Sequence, residues 1–433
     1  MNTFLLTAST LLLRMVGMLF QAWIASHIGA EGIGLYQLSG SVTVLFNVFA
    51  VSGVRFAATK LISEEAASCR GDVPRAVRIC ILYALLFGVL SSGTLLYSAE
   101  PLGFLWIGDA RIVLSLRFAA CSMPFIALEA VFSGYFTACG RIWKIVLIQL
   151  LSSIVCVTIT LYLLKRSDFM DLERSCAAIT VGNVIAEMLC SFSLLFIYLH
   201  ERRQWHSNLS KSANLFKRML SAAVPLGLSS YVRTGLSTLE HMMIPKGLRL
   251  AGLSAEAAIS GYGIVHGMAL SAVLFPACLL FSLADLVVPE LTRSQISGQT
   301  KRIQHIIHLS RTGTLLYAVG TAVMMFALAD VIADHIFHTP ECAKVIRTLA
   351  PLIPIMNLDT ITDGCLRGLG QQSVVMAINI LDASLGVLIV LILIPHSGVN
   401  GYILMIWITE AINCLLSSCA LKHAIRKSSA SSQ

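Results

Sequence analysis

Long apolar stretches separated by short polar segments make up the whole chain. Each apolar stretch is about 20 residues or longer, which is the length a helix needs to cross a bilayer. We therefore expect an all-α polytopic membrane protein with about twelve transmembrane helices. The stretches lie roughly at residues 4–26, 34–58, 77–98, 111–138, 145–164, 176–199, 219–244, 257–287, 311–333, 343–369, 374–395 and 400–422.

Composition agrees with a lipid environment. Of the 433 residues, 56% are hydrophobic and 12% are charged, and the mean hydropathy is +0.80, as in chains surrounded by bilayer. The net charge of +8 comes from cations in short loops and not from one basic face, so nucleic-acid binding is not expected. The twelve cysteines have no metal-binding spacing and are interpreted as small hydrophobic residues.

Lysine and arginine are distributed unequally between the two sets of loops. Loops on the side of the N-terminus carry more than twice as many of these residues as the opposite loops. The positive-inside rule then predicts a multi-pass membrane protein with both termini in the cytoplasm. Arg14 interrupts the first apolar stretch, and no basic segment precedes it. We expect this stretch to be a membrane helix and not a cleaved signal.

A segment of the first half recurs in diverged form in the second half. Residues 124–140 match residues 354–370 at one constant offset. The matched pairs are Pro124 and Pro354, Glu129 and Asp359, Gly134 and Gly364, and Gly140 and Gly370. A weaker echo pairs Gly34, Gly40 and Gly71 with Gly261, Gly267 and Gly298. The pattern predicts a duplicated half, as in alternating-access transporters.

Six spans in each half give the two halves the same orientation in the membrane. We expect a six-helix lobe at 1–199, a basic cytoplasmic linker at 200–218, and a second six-helix lobe with a short tail at 219–433. A cavity between the lobes is the expected substrate route. The linker is amphipathic enough to lie on an anionic leaflet, and an ordinary basic linker is the alternative.

Arginines inside the spans are candidates for substrate binding. Arg14 lies near the middle of the first helix and shares a polar stripe with Gln21. A charge at this depth costs several kcal/mol unless it faces water or a partner. We favour a position facing the cavity, and a structural ion pair is the alternative. Arg55 and Arg233 are further candidates, although Glu240 could neutralise Arg233 from one to two turns away.

Carboxylates inside the spans are candidates for ion coupling. Glu129 and Asp359 stand out because the repeat duplicates them. A carboxylate within the membrane can exchange a proton or hold a sodium ion. Hydrogen bonds that fix each helix to a neighbour are the alternative role. Other acids in the spans are Glu187, Asp285, Asp363, Asp382 and Glu410.

The sequence contains no sign of a catalytic module. It has no Gly-x-x-x-x-Gly-Lys-[Ser/Thr] motif for ATP, no loop of domain size, and no pattern that indicates a cofactor or a metal. We do not expect an enzyme.

Several segments resemble a known family. They are Leu-Arg-Met-Val-Gly at 13–17, Gly-Ala-Glu-Gly-Ile-Gly-Leu-Tyr-Gln-Leu at 29–38, Gly-Val-Arg-Phe-Ala at 53–57, and Ser-Glu-Glu at 63–65. Together they resemble the stage V sporulation protein B group of the multidrug/oligosaccharidyl-lipid/polysaccharide exporter superfamily, which also contains the lipid II flippase. The repeated Pro…Glu/Asp…Gly…Gly segments are similar to that superfamily as well.

The resemblance implies a protein of the bacterial cytoplasmic membrane, with two lobes around a cavity that opens alternately to each face. It implies a polyprenyl-diphosphate-linked sugar as cargo, moved from the inner to the outer leaflet, with a proton or sodium ion as driving partner and cell-wall synthesis proteins as candidate partners. Arg14 matches a first-helix arginine of an Arg-x-x-Gly motif that is thought to meet the diphosphate. Many relatives have fourteen spans, and the extra pair shapes a lipid groove that twelve spans would lack.

Alternative functions remain open at this point. A drug or cation antiporter of the same superfamily would favour acids and aromatic residues in its cavity. A polytopic oligosaccharide ligase or polymerase would normally have a large external loop. A sporulation scaffold without transport activity is a further alternative.

Overall fold

A computed structural model describes residues 2–67, 72–166, 171–202 and 215–430. Within these residues the secondary structure is helical, and every predicted apolar stretch lies on helix with at most a short break. The predicted all-α class is therefore confirmed. The first half contains α1 (Asn2–Val51), α2 (Val54–Ala67), α3 (Val73–Pro101), a π-helical segment (Leu102–Ile107), α4 (Ile112–Ala138), α5 (Ile142–Arg166) and α6 (Leu172–Glu201).

The second half repeats this order with more interruptions. It contains α7 (Leu215–Leu250), α8 (Ala255–Tyr262), a π-helical segment (Gly263–Ala269), α9 (Leu270–Leu274), α10 (Cys278–Ile296), α11 (Thr300–Ala327), α12 (Ala329–Val331), a π-helical segment (Ile332–Ile336), α13 (Glu341–Leu349), a 3-10 turn (Ala350–Leu352), α14 (Ile353–Gly368) and α15 (Gln372–Ala430).

Two of the helices are each long enough to contain two spans. α1 is broken at Gly29 and α15 at Gly398, where the backbone leaves the helical conformation. Among the described residues, seven stretches of helix are long and apolar enough to cross a membrane, or eight if the bent pair α11–α12 is counted. α7 and the α13–α14 pair are outside this set, because polar and charged side chains lower the hydropathy of their sequences. Together with the doubled α1 and α15, they account for the twelve predicted spans.

The internal repeat is visible in the backbone. α4 and α14 both end in a glycine with positive φ, +70° at Gly140 and +71° at Gly370. The next residue in each copy donates its N–H five residues back, from Arg141 to Phe136 and from Gln371 to Leu366. This pattern is the Schellman motif at the C-terminal end of a helix. Glycine adopts the left-handed conformation that the motif requires without a steric cost.

The repeated glycines inside α4 and α14 serve close helix packing. A Cβ at Gly134 would lie 2.9 Å from the Ala58 Cβ on α2, and a Cβ at Gly364 would lie 3.0 Å from the Ala284 Cβ on α10. Both distances are shorter than normal contact, so only glycine lets the helices approach this closely. The two halves therefore use the same packing at the same place, and the predicted duplication is confirmed.

Contacts group the chain into two compact units, Leu38–Thr238 and Met1–Gln37 with Leu239–Gln433. These units do not coincide with the lobe boundaries expected from the sequence. The first arm of α1 belongs to the unit that contains α8 to α15, and the first part of α7 belongs to the unit that contains α2 to α6. The boundaries at 199 and 219 stay a prediction. Most of the expected linker, and Gly71 of the weaker echo, lie outside the described residues.

Candidate functional site

Arg14 on the first arm of α1 contacts α10. Its Nη2 atom lies 3.4 Å from Oδ2 of Asp285, and the side chains are 39% and 59% exposed, respectively. The guanidinium also lies over the Phe281 ring, 5.2 Å from its centroid. The structural ion pair considered as an alternative is thus present. It is long and exposed, and a pair of this kind contributes little to stability. It uses one of the five N–H donors of the guanidinium, so Arg14 retains donors for an anion.

Gln21 lies two turns further along the same stripe. Its Nε2 donates to Oγ of Ser271 on α9 at 2.9 Å. The amide therefore joins α1 to α9, within the same unit as the Arg14 contact. Its predicted role in substrate binding stays a prediction.

Arg55 and Arg233 each lie a few residues from one contact between α7 and the break that separates α1 from α2. The Tyr231 hydroxyl donates to Oγ of Ser52 at 2.6 Å, and a Cβ at Gly53 would lie 2.4 Å from the carbonyl oxygen of Ala223. Arg55 follows Ser52 by three residues, and Arg233 follows Tyr231 by two. Both arginine side chains are exposed. Residues that are far apart in the sequence therefore place two cations near this contact.

A hydroxyl cluster at this contact was not predicted. It consists of Ser52, Tyr83 and Tyr231, and the Ser52 Oγ lies 2.8 Å from the Tyr83 hydroxyl. Ser52 has φ of +44°, a conformation that non-glycine residues rarely adopt and that costs of order 1–3 kcal/mol. The two tyrosines hold this residue at the break between α1 and α2. Lone polar residues inside apolar stretches were the only signal in the sequence.

The tyrosine contact provides a stability prediction. Replacing Tyr231 with phenylalanine should lower the free energy of unfolding by about 1 kcal/mol, because one partly buried hydrogen bond is lost. Thermal unfolding of the purified protein in detergent measures the change. Tyr97→Phe is the matched control, because Tyr97 is 88% exposed and should change nothing. Equal midpoints for all three proteins would contradict a structural role of the cluster.

Glu129 on α4 is buried between helices of the first half. Gln149 of α5 donates its Nε2 to Oε1 of Glu129 at 3.1 Å. The carboxyl group of Glu187 on α6 lies close to Glu129, and the Arg55 guanidinium is near enough to Glu187 to interact with it electrostatically. Ionised carboxylates only accept hydrogen bonds, so a hydrogen bond between these two groups requires a proton. From the sequence, Glu187 was only one of several acids inside the spans, and its position beside Glu129 was not predicted.

Asp359 has a different environment at the equivalent place. Asn413 on α15 donates to its Oδ2 at 3.0 Å, and the Ser417 hydroxyl donates to its Oδ1. Ser417 stands at the same repeat offset from Glu187 as Asp359 does from Glu129. The second half has therefore replaced the neighbouring carboxyl with a hydroxyl. Both repeated acids make the helix-to-helix hydrogen bonds that were the alternative role.

Further acids lie near Asp359 in this unit. Glu410 is close enough to Asp359, Asp382 and Glu240 for electrostatic interaction. Oδ1 of Asp382 is buried and makes no hydrogen bond within the described residues. Within the same residues, no three His, Cys, Asp or Glu side chains converge closely enough to hold a metal ion.

Known families and proteins resemble this chain along most of its length. The family described as polysaccharide biosynthesis protein matches residues 1–295, and the MatE family matches residues 248–392. Stage V sporulation protein B of Bacillus subtilis (strain 168) is 22% identical over 98% of this chain and 83% of its own length. Lipid II flippase MurJ of the same organism is 22% identical over 90% of this chain and 76% of its own length.

Solved structures share the fold. The inward-facing conformation of a multidrug resistance MATE family transporter of the MOP superfamily gives a TM-score of 0.76 at 12% identity, with 97% of this chain and 96% of that chain covered. Lipid II flippase MurJ in its inward closed conformation gives 0.72 at 15% identity, with 99% and 90% covered. Because the first family matches well over half of the sequence, this multi-pass membrane protein belongs to the polysaccharide biosynthesis protein family.

Proposed function

We propose that the protein is a flippase for a polyprenyl-diphosphate-linked saccharide or peptidoglycan precursor. The cargo moves from the inner to the outer leaflet by alternating access, and a proton or sodium gradient or the membrane potential drives it. The observation that carries this proposal is a set of guanidinium groups on predicted membrane-spanning helices: Arg55 and Arg233 are exposed, and Arg14 is half-buried. A diphosphate needs such cations, because an unpaired anion in hydrocarbon is very costly.

The comparisons support this cargo class. The matching family is described by polysaccharide biosynthesis, and one relative is named as a lipid II flippase. An apolar polyprenyl tail remains in the bilayer while only the polar headgroup needs the protein. The sporulation name of another relative extends the proposal to the cell wall of a spore.

The proposed coupling group is the pair Glu129 and Glu187. A proton shared between these carboxyl groups would be released or bound as the helices move. Arg55 interacts electrostatically with Glu187, so an anionic cargo near Arg55 would change the charge balance of the pair. Asp359 is the corresponding candidate in the second half.

Transport of a labelled lipid tests the function. Purified protein in vesicles should move a fluorescent polyprenyl-diphosphate sugar between leaflets, measured as the fraction that a membrane-impermeant quencher reaches. Depletion in cells should leave such lipids in the inner leaflet.

A drug or cation antiporter is the second candidate, favoured by the MatE match over residues 248–392. Vesicles that exchange an organic cation for protons and leave the lipid in place would support this candidate and contradict the flippase.

The proposed topology places both termini and the 200–218 segment in the cytoplasm. A cysteine introduced at Ser207 should not react with an impermeant reagent added to intact cells. Glu256→Cys is the control: Glu256 is exposed at the start of α8, on the opposite side, and should react. Both variants need a background in which the exposed Cys121 and Cys419 are replaced by serine. Ready labelling at position 207 would overturn the orientation.

A further inference from the structure

A groove of about 900 Å³ lies where three helices of one unit begin. α8, α13 and the second arm of α15 form its walls. Apolar side chains make up most of its lining, including Ile264, Val345, Ile403 and Leu404, and Leu404 is 48% exposed. The volume is that of a site for a small ligand or for part of a lipid. None of the residues assigned to cargo or ion coupling lines it.

We expect the groove to extend from the membrane surface toward the hydrocarbon region, because it is lined by the first turns of helices that the sequence predicts to cross the membrane. Its lining covers the first turns of three spans, from Glu341 to Thr348 on α13 and from Val399 to Trp407 on α15. At 1.5 Å per residue these segments are roughly 10–12 Å long. The Trp407 indole donates to the carbonyl oxygen of Thr348 at 3.3 Å, and tryptophan is enriched at this depth of a bilayer. A lipid chain lies parallel to the same direction.

Opposite charges line the groove. Glu341 and Lys344 both line it and are one helical turn apart, so their side chains are neighbours. Neither forms an ion pair with another described residue, whereas Arg347, one turn further, pairs with Asp330. The lining of the groove therefore contains a cation and an anion one helical turn apart.

We propose that this groove binds a zwitterionic aminophospholipid of the surrounding bilayer. Lys344 takes the phosphate, and Glu341 accepts hydrogen bonds from the primary ammonium group, which a two-carbon link holds beside the phosphate. One acyl chain fills the apolar part between α8 and α15. A purely anionic headgroup meets repulsion from Glu341, and a choline headgroup has no N–H to donate.

Quenching of Trp407 fluorescence by brominated lipids tests the assignment. The protein keeps Trp407 and carries phenylalanine at Trp23, Trp106, Trp143 and Trp205. It is reconstituted in phosphatidylcholine vesicles that contain chain-brominated phosphatidylethanolamine, phosphatidylglycerol or phosphatidylcholine at equal mole fractions. We expect the brominated phosphatidylethanolamine to quench Trp407 with at least threefold higher apparent affinity than the other two.

A matched probe and two variants make the test specific. A protein that keeps only Trp106, which is 52% exposed at the predicted same membrane face, should not discriminate between headgroups. Glu341→Gln should remove the preference for ethanolamine over choline, and Lys344→Ala should weaken quenching by all three lipids. Both residues are exposed, so the variants should fold, and their elution in size-exclusion chromatography verifies this.

Three outcomes would overturn the proposal. Equal quenching by all headgroups would show ordinary contact with bulk lipid. A preference for phosphatidylglycerol would show an anion site without a role for Glu341. Saturable quenching by a brominated polyprenyl lipid, with none by the phospholipids, would assign the groove to the tail of the cargo.

Discussion

Replacing Arg14 with alanine is expected to lower lipid flipping by roughly one to two orders of magnitude while membrane insertion stays normal. A hydrogen bond to a charged group contributes about 1.5–3 kcal/mol, and about 1.4 kcal/mol corresponds to a factor of ten. Arg14→Lys should restore part of the activity, because lysine keeps the charge but lacks the planar fork of guanidinium. The initial rate of flipping in vesicles measures the effect.

A variant of Asp285 distinguishes a role of Arg14 in headgroup binding from a structural role in the ion pair. If Arg14 serves the anionic headgroup, Asp285→Asn should leave flipping intact or raise it, because it removes a competitor 3.4 Å from the guanidinium. If the ion pair is structural, both single variants should lose activity and stability together. Arg117→Ala is the matched control, because Arg117 also forms an exposed ion pair, with Glu100. Normal flipping by Arg14→Ala would contradict the headgroup assignment.

Replacing Glu129 with glutamine is expected to change the pH dependence of transport. Glutamine cannot exchange a proton, and Glu129 is buried, 8% exposed, against the carboxyl group of Glu187. The charged and titratable groups facing this pair are Arg55 and Cys190, and the neutral Gln149 donates to it. The transport rate of the variant should therefore depend less on pH than that of the unmodified protein. Glu187→Gln should reproduce this effect.

Asp359→Asn is the control in the second half. Asn413 and Ser417 already donate to both oxygens of Asp359, so the aspartate is satisfied without a shared proton. In asparagine, an NH2 group replaces one of these oxygens and faces a hydrogen-bond donor, which should cost about 1–3 kcal/mol of stability. The pH profile of the remaining activity should be unchanged. Identical pH profiles for Glu129→Gln and Asp359→Asn would show that the repeat has kept one role, helix packing, in both halves.

In the repeat, the sequence predicted the role of the glycines but not the surroundings of the acids. Constant spacing was enough to pair Gly134 with Gly364 and Gly140 with Gly370, because close packing and a left-handed helix end both demand glycine. The same spacing paired Glu129 with Asp359. It did not show that their neighbours had diverged, because Glu187 and Ser417 lie on other helices and their significance comes only from what they face.

By itself the sequence determined the all-α membrane class, the twelve spans and the duplication, because bilayer thickness and backbone geometry act on each segment separately. Local motifs around Arg14 and Arg55 also indicated the family. The tertiary structure alone decided which side chains meet: Asp285 at Arg14, Ser271 at Gln21, and Tyr231 at Ser52. Each of these pairs joins residues more than 150 positions apart. Helical periodicity identifies the polar face of one helix, but the neighbour of that face depends on how all the helices pack.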